Sequence, residues 1–209
     1  MKHMLKTILL ILLFIQSVFL HGQKKYTTTK LKIESIPKEI KYTGKIIDAI
    51  TWEDGLGKNL VITNETKSVL NNFAQKEDYR FEIYAYHYLL INNKPKFVWK
   101  IYDYVSGCLS DVQNEFINNT LSVTDLNNDG IAEIWIMYII DCHGDASPDH
   151  MKIIMYHGNQ KYAMRGLNKM DLSDNDGGQY TFDKEFLKAP KAFKDYAIKL
   201  WKKNILQKH

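Results

Sequence analysis

The strongest constraint on this chain is a period-two alternation of apolar and polar side chains that recurs along most of its length. Successive side chains of an extended strand point to opposite faces, so such alternation marks strands with one buried face. Segments 45–53 and 59–64 carry it on either side of the turn Asp54-Gly55-Leu56-Gly57, a hairpin signal. Segment 79–91 is rich in aromatics, with Tyr79, Phe81, Tyr84, Tyr86 and Tyr88. The turn Asn92-Asn93-Lys94-Pro95 joins it to 96–105, where Phe97, Trp99, Ile101 and Asp103 are expected to face opposite to Val98, Lys100, Tyr102 and Tyr104. Segments 121–124 and 133–140 make a third hairpin, and 151–157 with 161–165 a fourth around Gly158-Asn159. Leu31, Ile33 and Ser35 mark a short first strand.

Ile134 through Ile140 is apolar on both faces, so this strand is expected in the middle of a sheet, covered on both sides. Near the end the period changes. Phe186, Phe193, Ala197, Leu200 and Trp201 fall on one helical stripe, which predicts an amphipathic helix over 185–205 packed on a sheet face. The fold class that follows is mainly antiparallel β (α+β): a hairpin-rich single sheet or sandwich with a C-terminal helix.

The first 22 residues read as an export signal. Lys2, His3 and Lys6 precede an apolar run over 7–20, which is shorter than the roughly 20 residues that span a bilayer. Gly22 suits cleavage before Gln23, leaving a single domain over 23–209. Leu20 is a poor match to the usual small-residue pair, and an uncleaved signal anchor is the alternative. With no cysteine near the cleavage point and no second long apolar segment, the expectation is a periplasmic or extracellular protein that is neither lipid-anchored nor membrane-spanning after cleavage. Loss of Lys2 and Lys6 leaves 26 basic against 24 acidic residues. That balance argues against nucleic acid as a partner, because phosphate contacts need a basic patch.

Cys108 and Cys142 are the two cysteines. In an oxidising compartment an isolated pair reads as a disulfide, and closing this loop would contribute roughly 3–4 kcal/mol. Two separate buried thiols are the alternative.

Asp125-Leu126-Asn127-Asn128-Asp129-Gly130-Ile131-Ala132-Glu133 sets side-chain oxygens at positions 1, 3, 5 and 9 of a loop, with glycine at position 6. Calcium takes six to eight hard oxygen ligands, and alternating side chains in a tight loop converge on one ion. The expected ligands are Asp125, Asn127, Asp129 and Glu133 through side chains and Ile131 through its carbonyl. An EF-hand would place an acid at position 12, where Ile136 stands, and both flanks read as strands. The loop resembles the FG-GAP or VCBS repeats of integrin-like propellers and secreted bacterial proteins over 122–140. That family builds propellers from many copies, and this chain has one, so a propeller does not follow. The plain alternative is an acidic turn, since Asp, Asn and Gly are good turn formers. A second acidic loop, 171–178, lacks a closing acid and reads as an ordinary loop.

Loop 141–150 is the other concentration of functional groups. His143, Asp145, Ser147, Asp149 and His150 are able to serve as metal ligands, as acid and base, or, for Ser147, as nucleophile. The plain reading makes Ser147 the cap of a helical turn with Pro148 at its first position.

Trp52-Glu53-Asp54, Gly57, Asn59, Val61-Ile62, the Asp125 loop, Cys142, Gly144-Asp145 and Ser147-Pro148-Asp149 together resemble small exported bacterial proteins labelled surface polysaccharide biosynthesis protein, over 44–166. The resemblance implies a cell-envelope setting. No sugar-nucleotide motif accompanies it. The functional expectation is therefore a non-catalytic, calcium-stabilised module that binds glycan or an envelope protein. The alternatives are a periplasmic hydrolase using loop 141–150 and a purely structural assembly accessory.

Overall fold

A computed structural model describes residues 24–73, 76–108, 111–145, 147–170 and 177–206. The expected signal segment 1–22 and most of the acidic loop 171–178 lie outside the described residues. Two antiparallel sheets pack face to face. One contains β2 (Thr29–Lys30), β3 (Lys45–Asp54), β4 (Gly57–Phe73), β5 (Lys76–Ile91) and β6 (Lys94–Ser106), in chain order. The other runs β1 (Lys24–Lys25), β8 (Ser122–Asp125), β9 (Glu133–His143), β10 (His150–His157), β11 (Gln160–Leu167) and β12 (Tyr180–Phe182), with β7 (Asp111–Phe116) also paired to β9. We call them the meander sheet and the central sheet.

The apolar faces close a core between the sheets. Trp52, Val61, Ile83, Ala85, Trp99 and Ile101 meet Ile134, Ile136, Tyr138, Ile140, Ile154 and Tyr156. Trp99 and Tyr156 stack across that interface with centroids 4.1 Å apart. The opposite face of the central sheet carries Trp135, Met137, Met151, Ile153, Met155 and Met164, buried under Phe186, Phe193, Ala197 and Trp201. Strand β9 is thus covered on both sides, as its two-faced apolar run requires.

The C-terminal helix is broken. Lys184–Lys188 forms α1, whose start is capped by Asp183 accepting from the Phe186 amide at 2.8 Å, and Lys191–Asn204 forms α2. Proline lacks an amide hydrogen and pushes the residue before it out of the helical region, so Pro190 leaves Ala189 extended and splits the expected 185–205 helix. The expected strand through Ile33 and Ser35 is also corrected. Pairing stops at Lys30, and Ile33–Ser35 forms a 3-10 turn ahead of Pro37. Residues 147–149 adopt no helical turn, and Ser147 donates to the Asp145 carboxylate at 2.5 Å instead of capping one.

Strand β6 departs from simple alternation. The register shifts between His87 opposite Trp99 and Tyr88 opposite Phe97. This bulge at Val98 turns Val98 toward the inter-sheet core and brings Phe97 to the outer face beside Lys100, Tyr102 and Tyr104.

Candidate functional site

Three places concentrate chemistry. The first is the Asp125 loop at the β8–β9 turn. Gly130 has φ +82° and Asn128 φ +58°, left-handed conformations that suit glycine and asparagine. The Gly130 amide donates to Asp125 Oδ2 at 3.3 Å, Asn127 donates to Asp129 Oδ2 at 2.8 Å, and the Ile131 amide to Asp129 Oδ1 at 2.9 Å. Asp125 is only 2% exposed, and its Oδ1 is buried without a hydrogen-bond partner among the described residues. A buried, unpartnered carboxylate oxygen is costly unless a cation meets it. Glu133 is fully buried, with its carboxylate on the Thr124 hydroxyl at 2.7 Å and the Leu126 amide at 2.9 Å. Burial, with the nearby Asp125 and Asp129 charges, pushes its pKa up to about 7.

The donors are all oxygens, as calcium needs, and the orphaned Asp125 oxygen fits an ion. The three carboxylates are nevertheless tied to separate amides and hydroxyls rather than gathered on one point. The turn between β3 and β4 docks on this loop. The Gly55 amide donates to the Gly130 carbonyl at 2.6 Å, the Ala132 amide donates to Asp54 Oδ2 at 3.1 Å, and the Tyr26 hydroxyl donates to the Gly130 carbonyl at 3.0 Å. The loop therefore sits where both sheets and the first strand meet, a role its own residues did not reveal.

The second place is loop 141–150, tethered by the disulfide between Cys108 and Cys142, whose Cα atoms are 5.8 Å apart. His143 Nε2 lies 2.8 Å from Oδ1 of Asp149, which is fully buried, and Nδ1 lies 2.9 Å from the Asp145 carbonyl. The hydrogen bond to Asp149 raises the His143 pKa against the opposing effect of burial. His143, Asp145, Ser147 and Asp149 are thus brought together, yet both ring nitrogens face other oxygens and Ser147 donates to Asp145. A nucleophilic serine needs its base within hydrogen-bond reach, and this arrangement spends the imidazole elsewhere. Asn168, on the far side of β10 and β11 in sequence, braces Asp149 and carried no signal of its own.

The third place is the outer face of the meander sheet. Tyr86, Tyr84, Tyr102 and Tyr104 form a stacked row with successive centroids 5.9, 5.0 and 5.6 Å apart. The Lys100 ammonium lies over Tyr84 and Tyr102, and the Arg80 guanidinium 3.8 Å from the Tyr104 centroid. Tyr84, Tyr86 and Tyr88 are covered by Ile36 and Ile40, whereas Phe97, Tyr102 and Tyr104 are 53%, 41% and 46% exposed. Beside them a groove of about 670 Å³ is lined by Glu39, Lys41, Tyr86, Tyr88, Lys94, Phe97 and Lys100. The tyrosines were legible in the sequence as strand residues. Their gathering into one stacked row, exposed at its Tyr102 and Tyr104 end, depends on the β5–β6 register.

No family model, curated protein or solved structure matches the chain. Among the described residues, no helix is long and apolar enough to cross a membrane.

Proposed function

We propose that this protein is an exported, non-catalytic cell-envelope module that binds an anionic glycan along the outer face of the meander sheet. The exposed rings of Phe97, Tyr102 and Tyr104, with the neighbouring lysines, carry this reading. Flat rings present apolar faces that match the C–H faces of sugars, and they lose little entropy on binding because the sheet already holds them. Three lysines against one glutamate line the adjoining groove, which favours a polymer bearing carboxylate or phosphate groups over a neutral one. Calcium held by Asp125, Asn127, Asp129, the Ile131 carbonyl and Glu133 would serve structurally, stiffening the junction on which Asp54 and Gly55 dock.

Titration calorimetry with acidic and neutral bacterial polysaccharides tests this reading. Acidic polymers should bind, more weakly as salt rises. The Tyr102→Ala/Tyr104→Ala double variant should weaken binding about tenfold or more. Absence of binding to every polysaccharide, or equal binding by the double variant, refutes it. The hydrolase alternative has less support, because Ser147 and His143 are hydrogen-bonded away from each other.

A further inference from the structure

Asp141 and His143 are alternate residues at the end of β9 and so project to one face, while Asp149 immediately precedes β10, which pairs beside it. One ligand atom from each of the three side chains lies within 4.8 Å of the other two. Among the described residues, this is the one trio of histidine, cysteine or acidic side chains gathered so closely. We propose that Asp141, His143 and Asp149 bind a divalent transition-metal ion, zinc by their donor chemistry.

The distances are close to what such an ion needs. Zinc bonds of about 2.0–2.2 Å in tetrahedral geometry set donors roughly 3.3–3.6 Å apart. His143 Nε2 and Asp149 Oδ1 already stand 2.8 Å apart. The ion takes the place of the proton these two groups otherwise share.

Each ligand is also held from behind. The Asp145 carbonyl, 2.9 Å from Nδ1, accepts a hydrogen bond from that nitrogen and leaves Nε2 to offer its lone pair. Asn168 donates to Asp149 Oδ2 at 2.8 Å and accepts from the Asp149 amide at 2.7 Å, which turns Oδ1 toward His143. Asp141 Oδ2 accepts from the His150 amide at 2.7 Å and contacts the His150 ring at 2.8 Å, while Oδ1 accepts from the Cys142 amide at 2.7 Å. A carboxylate has about four lone-pair sites, so Asp141 keeps acceptor capacity for a metal. The Cys108–Cys142 bridge fixes the strand end that carries two of the ligands. Bracing of this kind, on every ligand, is what orients metal-binding side chains.

The donor set selects the ion. One imidazole and two carboxylates suit zinc, whereas calcium needs six or more oxygens and soft copper(I) prefers thiolates or thioethers. Both cysteines are engaged in the disulfide. Asp141, Asp145 and Asp149 also make the local charge negative whenever His143 and His150 are neutral.

The test uses tag-free, disulfide-bonded mature protein stripped with a chelator. Zinc binding is read by calorimetry and cobalt binding by visible absorption. One ion should bind per chain. His143→Ala and Asp141→Asn, each with the wild-type circular dichroism spectrum, should weaken binding at least roughly 100-fold, and Asn168→Ala by about 10–100-fold. Asp129→Ala, in the separate acidic loop, should leave zinc affinity unchanged. Should Asp149→Asn fail to fold, Asp141→Asn and His143→Ala decide the matter. Failure of both metals to bind, or unchanged affinity in His143→Ala, overturns the site.

Discussion

Acidification should destabilise this fold through His87, and the size of the effect follows from where the ring sits. His87 is 1% exposed, between Trp52 and Trp99, with ring centroids 5.7 and 5.0 Å away. Its Nε2 meets Asn59 Oδ1 at 2.8 Å, and Asn59 donates through Nδ2 to Asp54 and to the Gly57 carbonyl, so Asn59 presents an acceptor to a neutral Nε2–H ring. Nδ1 has no partner among the described residues, so a second ring proton would be buried without an acceptor. Burial lowers the pKa from 6.5 to about 4, against a smaller opposing pull from Asp54. The folded state therefore binds this proton less readily than the unfolded chain, and stability falls as pH falls. The contribution is fully present above 6.5 and is lost as pH drops toward 4. At about 1.4 kcal/mol per pH unit, the whole loss is about 3 kcal/mol, of which about 2 kcal/mol is already gone at pH 5.

Urea unfolding followed by tryptophan fluorescence at pH 7.5 and pH 5 measures this, because Trp52 and Trp99 flank the ring. Other titrating groups contribute to both proteins, so the readout is the difference between wild type and His87→Gln. The variant should lose about 2 kcal/mol less than wild type between the two pH values. Equal losses would show that protonation of His87 is not the source.

Calcium at 100 times its dissociation constant should stabilise the wild-type protein by about 2.7 kcal/mol, seen as a rise in melting temperature at millimolar calcium that Asp129→Ala abolishes. Equal melting temperatures in chelator and in calcium would leave the loop an acidic turn. Replacing Cys108 and Cys142 together by alanine opens a link across a sequence separation of 34 and should cost about 3–4 kcal/mol in denaturant unfolding. Gly166→Ala should destabilise by more than about 1 kcal/mol in the same assay, because the new Cβ would lie 1.9 Å from the Gln179 carbonyl oxygen, a backbone atom held by the Leu167 amide.

Much of the architecture was legible in the chain because strands, turns and apolar stripes are local. The alternation around Asp54–Gly57 and Asn92–Pro95 marks hairpins that the structure contains. The two-faced run from Ile134 to Ile140 announces a strand with cover on both sides, which the meander sheet and α2 supply. The extension of the β4–β5 hairpin to Phe73 and Lys76, and strand β7, were not legible. Polar sequences such as Asn71-Asn72 and Gln113-Asn114-Glu115 carry no apolar period, and their pairing is set by the neighbouring strand.

For the candidate sites the division is sharper. The oxygen spacing of the Asp125 loop and its glycine are sequence properties, because nine adjacent residues make the turn. That Asp54 and Gly55 brace it is tertiary, since the two turns are joined only by the packing of the sheets. The aromatic residues were visible as strand residues. Alternation alone puts Tyr84 with Tyr86 and Tyr102 with Tyr104, but their stacking across strands needs the β5–β6 register, and Phe97 joins that face only through the bulge at Val98. Loop 141–150 showed its ionisable groups in sequence. The bracing of Asp149 by Asn168 came only when the β10–β11 hairpin returned the chain to its starting edge. Short-range sterics and hydrophobic periodicity determine elements from sequence alone, whereas a site made of distant side chains exists only after strand pairing and burial have fixed register and face.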